Sequence, residues 1–264
     1  LDDETNATVN HASSDTGEAT VSPATLTFTE DNWDTAQTVT VAGVYDTDRD
    51  RHQAYKISLS AGDQDLESAE VTTFAGSGNS GSTNATGTAA KFKNPWGITT
   101  DGTNLYVSDM NNHKIRKIVI SSGVVTTIAG STSSGSTNAT GTAARFSFPY
   151  GISSDGTYLY LADAGNHTIR KIVIATGAVT TLAGSAGSSG STDGTGASAR
   201  FRTPAAITTD GTNLYVADAN NNSIRKIVIS TGAVTTLAGS AGSQGSTNGT
   251  GSTARFKTLS LIHI

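Results

Sequence analysis

The sequence predicts an all-β chain whose larger part is one four-stranded unit repeated in tandem. Two anchors carry that prediction. VTTFAGS begins at Val71 and returns as VTTIAGS at Val125 and as VTTLAGS at Val179 and Val234, at spacings of 54, 54 and 55 residues. Phe92, Phe146, Phe201 and Phe256 keep the same period, at 54, 55 and 55. Between the anchors, short runs rich in Val, Ile and Thr alternate with Gly and Asn turn signals, as strands require and helices do not. A composition with 29 glycines and only 35% hydrophobic residues agrees with short strands and many turns.

The first unit shows the elements in order. GITT (97–100) is followed by Asp101-Gly102, a strong two-residue hairpin signal. NLYVSD (104–109) comes next, then the turn MNN, then the β-branched run HKIRKIVI (113–120). A Ser-Ser-Gly turn leads to VVTTIAG (124–130), and the polar loop STSSGSTNATGTAA carries the chain to the next unit. Four antiparallel strands at this period describe one blade of a β-propeller. The strands are apolar on both faces, as a blade packed between two neighbours needs.

Within each unit the pattern Pro-x-Gly-Ile, Asp, Tyr-Val-x-Asp and Asn-His-x-Ile resembles the NHL repeat. It stands as NPWGI…D…LYVSDMNNHKI, FPYGI…D…LYLADAGNHTI and TPAAI…D…LYVADANNNSI. The third copy departs from it at Ala206 and Asn222, which argues against essential chemistry at either position. The resemblance implies a ring of six blades, about 330 residues at this period, so residues 71–258 are expected to be three full blades of a partial propeller. It also implies several functions, since NHL-like propellers include binding modules, RNA binders with a basic face, and metal-dependent lyases and lactonases. In such enzymes the chemistry sits on residues that break the internal symmetry. Here only Asp193 among the acidic and His side chains of the propeller does so.

Residues 1–70 differ. They carry a net charge of −12, against +7 for 71–264, and such a contrast marks a domain boundary. SPATLTFT, the Asn32-Trp33 step, QTVTVAGVYDTD and the QAYKISL run resemble the Calx-β/cadherin-like sandwich domains of bacterial surface adhesins. The expected organisation is a partial β-sandwich over 1–62, an acidic linker over 63–70 and the propeller over 71–258. The closing LSLIHI (259–264) resembles a translated sequencing adapter, and it is set aside as a tail on a fragment. There is no cysteine, no run of about 20 apolar residues and no basic-then-apolar leader. The cysteine-free composition rich in Thr, Ser and Asn, together with the adhesin resemblance, leads to the expectation of an extracellular or cell-surface setting.

Candidate sites follow from what repeats and what varies. Asp109, Asp163 and Asp218 recur beside Asn112, Asn166 and Asn221, where carboxylate and amide can hold the free N–H groups of a tight turn. His113 and His167 give way to Asn222, which can match their hydrogen bonding but not their acid–base chemistry. These five Asp and His positions are expected to be structural. Arg116, Arg170 and Arg225 recur with the following lysines, either pairing with the turn aspartates or forming a polyanion surface. Ligand contacts are expected on the face bearing the long loops and the Asn-rich turns, from Trp96, Tyr150, Asn111, Asn112, Asn166 and Asn221. Asp46, Asp48 and Asp50 form a D-x-D-x-D run with oxygen ligands suited to calcium, although Arg49 and Arg51 oppose it. No catalytic motif is present, and no cofactor other than calcium is expected. The expected function is a surface adhesion module that binds a protein or a glycan. The alternatives are a propeller enzyme with its catalytic residues outside this stretch, and a polyanion binder, with nucleic acid disfavoured.

Overall fold

A computed structural model describes residues 7–13, 19–28, 38–43, 57–61, 71–257 and 259–260. The chain divides into two compact units, Leu1–Thr72 and Thr73–Ile264. In the first, β1 (Ala7–Ser13) lies between β3 (Thr25–Phe28) and β5 (Ile57–Ala61), antiparallel to both. A second pair joins β2 (Ala19–Ser22) to β4 (Thr40–Gly43). Asp46, Asp48 and Asp50, and the expected linker 63–70, lie outside the described residues.

The second unit is all-β and holds three blades of a β-propeller. Blade 1 is the meander β6 (Pro95–Thr100), β7 (Asn104–Asp109), β8 (Lys114–Val119) and β9 (Val125–Gly130). Blade 2 repeats it as β10 (Pro149–Ser154), β11 (Tyr158–Asp163), β12 (Thr168–Val173) and β13 (Val179–Gly184). In blade 3 a two-residue strand, β14 (Gly194–Thr195), precedes β15 (Pro204–Thr209), β16 (Asn213–Asp218), β17 (Ser223–Val228) and β18 (Ala233–Gly239). The MNN-type turn between second and third strands is a short 3-10 turn in every blade.

The unexpected element is β14. It comes from the long loop after blade 2 and pairs with the outer strand of blade 3, Gly194 opposite Val234. Single bridges at Thr86–Val124 and Thr140–Ala178 make the same contact in the other blades. An outer strand exposes a row of unpaired N–H and C=O groups, and a loop laid along it satisfies them. The Val125 and Val179 N–H groups accordingly donate to the Ala85 and Ala139 carbonyls. The long loops, expected to be free for binding, are in large part packed against the blade edges.

Apolar side chains from neighbouring blades interleave. Tyr106, Ile115 and Ala129 of blade 1 pack with Ile152, Leu159, Leu161 and Ile172 of blade 2. Tyr160, Ile169 and Ala183 pack in the same way against Ile207, Leu214, Val216 and Ile227. Near the axis the first strands approach closely: a Cβ on Gly97 would lie 2.7 Å from the Tyr150 carbonyl, and one on Gly151 2.6 Å from Ala206 Cα. In the third copy the equivalent residue is the buried Ala206. Residues 71–76, which repeat the outer-strand sequence, form no strand, and Val71 and Phe74 are exposed.

Candidate functional site

The repeated polar residues form an internal network. Asp109, at the end of β7, accepts from the Lys93 N–H at 2.7 Å with one oxygen. Its other oxygen accepts from Asn112 Nδ2 and Arg116, each at 2.8 Å. The Arg116 guanidinium also donates to the Lys91 and Thr83 carbonyls and to Asn84 Oδ1, and it sits 5.0 Å over the Phe92 ring. Its Nε has no partner. Blade 2 repeats the set with Asp163, Asn166, Arg170 and Phe146, and blade 3 with Asp218, Asn221, Arg225 and Phe201. The three Asp–Arg pairs are fully buried. Burial pushes the Asp163 carboxyl up to about 6 and raises Asp218 as well, against the pull of Arg170 and Arg225.

This network revises the expectations for the aspartates and asparagines and decides between the two for the arginines. The aspartates hold the N–H of the segment leading into the first strand, not the amides of their own turn. Asn112, Asn166 and Asn221 are buried, each donating to an Asp and to the carbonyl of Gly81, Gly135 or Gly190, so they lie inside the blade and not on a ligand face. The arginines form pairs within each blade and present no polyanion surface, because a buried guanidinium cannot reach a phosphate. Asp193 loses its apparent singularity: it stands where Asn84 and Asn138 stand, 2.7 Å from Arg225, and also accepts from Thr236.

On the opposite, hairpin face the Asp-Gly turns are closed by their own carboxylates. Asp101 accepts from the Thr103 and Asn104 N–H groups and, at 2.7 Å, from the Tyr106 hydroxyl. Desolvation works to raise Asp101, but the bonds from Tyr106, Asn104 and Thr103 outweigh it and hold the carboxyl well below the usual range. Asp155 and Asp210 bind their turns and Tyr160 or Tyr215 in the same way.

The loop face differs from blade to blade. Trp96 is 51% exposed and stacks on Tyr150, ring centroids 5.0 Å apart and 21° from parallel. Trp96 also borders a cavity of about 410 Å³ with Phe74, Phe92, Ile98 and Leu105, on the uncovered side of blade 1. The equivalent Ala205 is buried. His113 packs edge-on against Phe148 at 4.9 Å, and its Nδ1 accepts from the Phe148 N–H at 3.1 Å. His167 accepts likewise from the Thr203 N–H at 3.2 Å, so each histidine joins its blade to the next. Both are lowered from the ordinary imidazole value, His113 by desolvation and then Lys93, His167 by desolvation and then Arg202. Asn111 is half-buried on this face and donates its N–H to the Lys93 carbonyl.

Sequence reasoning missed Phe148. It is 45% exposed and has φ of +47°, a left-handed conformation shared by Asn94 and Thr203 at the same repeat position. Such a conformation costs a non-glycine residue about 1–2 kcal/mol. The signal was present in the residue before each first-strand proline, which runs Asn, Phe, Thr across the blades.

No family model matches the chain. Among curated proteins, NHL repeat-containing protein 2 of Homo sapiens is 29% identical over 206 residues, 70% of this chain and 28% of the relative. The Arabidopsis thaliana protein SUPPRESSOR OF QUENCHING 1, chloroplastic, is 33% identical over 174 residues, 60% of this chain and 16% of that protein. The repeat is of the NHL type. The chain spans little more than a quarter of its human relative. Of solved structures, an auxiliary nutrient binding protein from Bacteroides ovatus aligns with a TM-score of 0.52 and 18% identity, over 70% of this chain and 49% of that one. Its Bacteroides thetaiotaomicron counterpart aligns at 0.50 with 20% identity, over 63% and 42%. These neighbours share the propeller fold of the NHL unit. Among the described residues of the chain, no helix is long and apolar enough to cross a membrane, and no group of three Asp, Glu, His or Cys side chains could hold a metal ion.

Proposed function

We propose that the NHL propeller is a non-catalytic binding module, displayed outside the cell beside an adhesin-type N-terminal domain, that grips a protein or glycan with its loop face. The observation that supports this reading is the division between constant and variable residues. The Asp, Asn and Arg side chains that repeat at the loop end of all three blades are buried and hydrogen-bonded, as a scaffold requires. Positions that vary, Asn94/Phe148/Thr203 and Trp96/Tyr150/Ala205, cluster where the first strands begin, and they present large aromatic side chains in blades 1 and 2. Phe148 meets His113 only edge-on and leaves 45% of its surface exposed, in a left-handed backbone that all three blades share at this position, and such strain is a reason to look for function. The seven propeller carboxylates are all engaged in turns or ion pairs, and both histidines accept a backbone N–H from the next blade, so these repeated groups are committed to the scaffold. A binding role also accords with the nutrient-binding names of the two Bacteroides fold neighbours.

The test is binding of the 264-residue chain to an array of immobilised glycans and extracellular-matrix proteins. Trp96→Ala combined with Phe148→Ala is expected to abolish every specific signal, with the melting temperature lowered by no more than a few degrees. Thr103→Ala, on the hairpin face, is expected to leave the signals intact. Signals that survive the double change but vanish with Thr103→Ala would show that the wrong face has been chosen.

A further inference from the structure

Resting on that reading, we infer that the loop face takes an acidic glycan, with its carboxylates on Lys93 and Arg202 and a sugar ring stacked on Phe148. The argument begins with where the propeller places its charges. Of its seven carboxylates, Asp109, Asp163 and Asp218 are buried against arginines. Asp101, Asp155 and Asp210 close turns on the opposite face, and Asp193 pairs with Arg225. No acidic side chain remains to neutralise the loop face. Lys93 and Arg202 occupy the same repeat position, are exposed, and have no ion-pair partner among the described residues. Their backbone N–H groups donate at 2.7 Å to Asp109 and Asp218, so the scaffold fixes where each cation leaves the chain.

Blade 2 breaks the pattern in an informative way. At its equivalent position stands Ser147, and the next residue is the exposed Phe148. Across three consecutive blades the face therefore presents a cation, an aromatic ring and a second cation. Alternating anionic groups and apolar ring faces are the chemistry of an acidic polysaccharide, whose C–H faces pack on an aromatic while its carboxylates take charge-assisted hydrogen bonds. Nucleic acid fits less well. A phosphate backbone rewards many closely spaced cations, and here Lys93 and Arg202 are two over three blades while Arg116, Arg170 and Arg225 are buried.

Isothermal titration of the intact chain with hexagalacturonate and with a hyaluronan octasaccharide tests this, with cellohexaose and a 20-nucleotide single-stranded RNA as comparisons. The expected result is saturable binding of at least one uronate probe, more than tenfold tighter than either comparison. Lys93→Ala and Phe148→Ala should each weaken it by about tenfold or more, while Lys117→Ala, on β8 away from this face, leaves it unchanged. Circular dichroism and thermal melts of each variant separate lost binding from lost fold. No binding of either uronate, equal binding of cellohexaose, or preference for the RNA overturns the inference. If the array still shows loop-face-dependent binding to a protein or a neutral glycan, the proposed function stands and only the acidic ligand is wrong.

Discussion

Asp163 and Arg170 show how much of the blade depends on single side chains. Both are fully buried, so removing one leaves an uncompensated charge in a low-dielectric interior, at about 3–5 kcal/mol. Asp163→Ala is therefore expected to lower the urea-unfolding free energy by that amount. Asp193 offers the internal comparison. Its side chain is half exposed, and the equivalent positions carry Asn84 and Asn138, which accept from the same guanidinium nitrogen. Asp193→Asn should cost no more than about 1 kcal/mol, as expected for a partly solvated pair. Equal losses from the two substitutions would mean that burial is not what sets the strength of these pairs. Sequence periodicity identified the aspartates as repeated, structural positions and left the arginines between ion pairing and a polyanion surface. It did not show that the asparagines face inward, because Asn112 and its neighbour Asn111 are the same residue type one step apart on a tight turn.

At the level of elements, twelve blade strands were legible to within a residue or two, because Asp-Gly hairpins and β-branched runs fix their ends. The strand β14 was not, since GSTDGTGAS carries no strand propensity and pairs only because the edge of β18 is free. The seam between blades was also hidden: His113 and Phe148 lie 35 residues apart in sequence. That seam makes a pH prediction. Nδ1 can accept a hydrogen bond only from a neutral imidazole, and the folded chain lowers both histidines. Their contribution is complete above the unfolded value of about 6.5 and is lost as pH falls below it. A chain with His113→Asn and His167→Asn, the residue found naturally at 222, should be less stable than the parent at pH 7.5. The gap should narrow at pH 5, and comparing parent with variant cancels the carboxylates common to both. A gap in urea-unfolding free energy that is unchanged between the two pH values would remove the histidines from the seam's energetics.

For the whole molecule, the two sides of the blade array are unequal in a way that sequence periodicity could not show, because identical residues acquire different surroundings. Ile152 and Ile207 are 6% and 5% exposed beneath their preceding blades, whereas the equivalent Ile98 is 62% exposed. Around Ile98, Phe74, Phe92 and Leu105 line the open cavity beside blade 1. Repeat units draw much of their stability from their neighbours, and an uncovered apolar face of this kind promotes association. The 264-residue chain is therefore expected to self-associate at micromolar concentration in sedimentation-velocity runs and to bind an apolar dye. Ile98→Thr should reduce both signals and leave the unfolding free energy within about 0.5 kcal/mol, because the side chain is already in water. Ile152→Thr should instead destabilise by several kcal/mol, since it places a hydroxyl and a void in the blade 1–blade 2 core. Residues 71–76, which carry the outer-strand sequence without a strand beside them, should exchange their amides rapidly, unlike 125–130 and 179–184. A strictly monomeric chain with slow exchange over 71–76 would mean that this face is covered in solution by part of the chain itself.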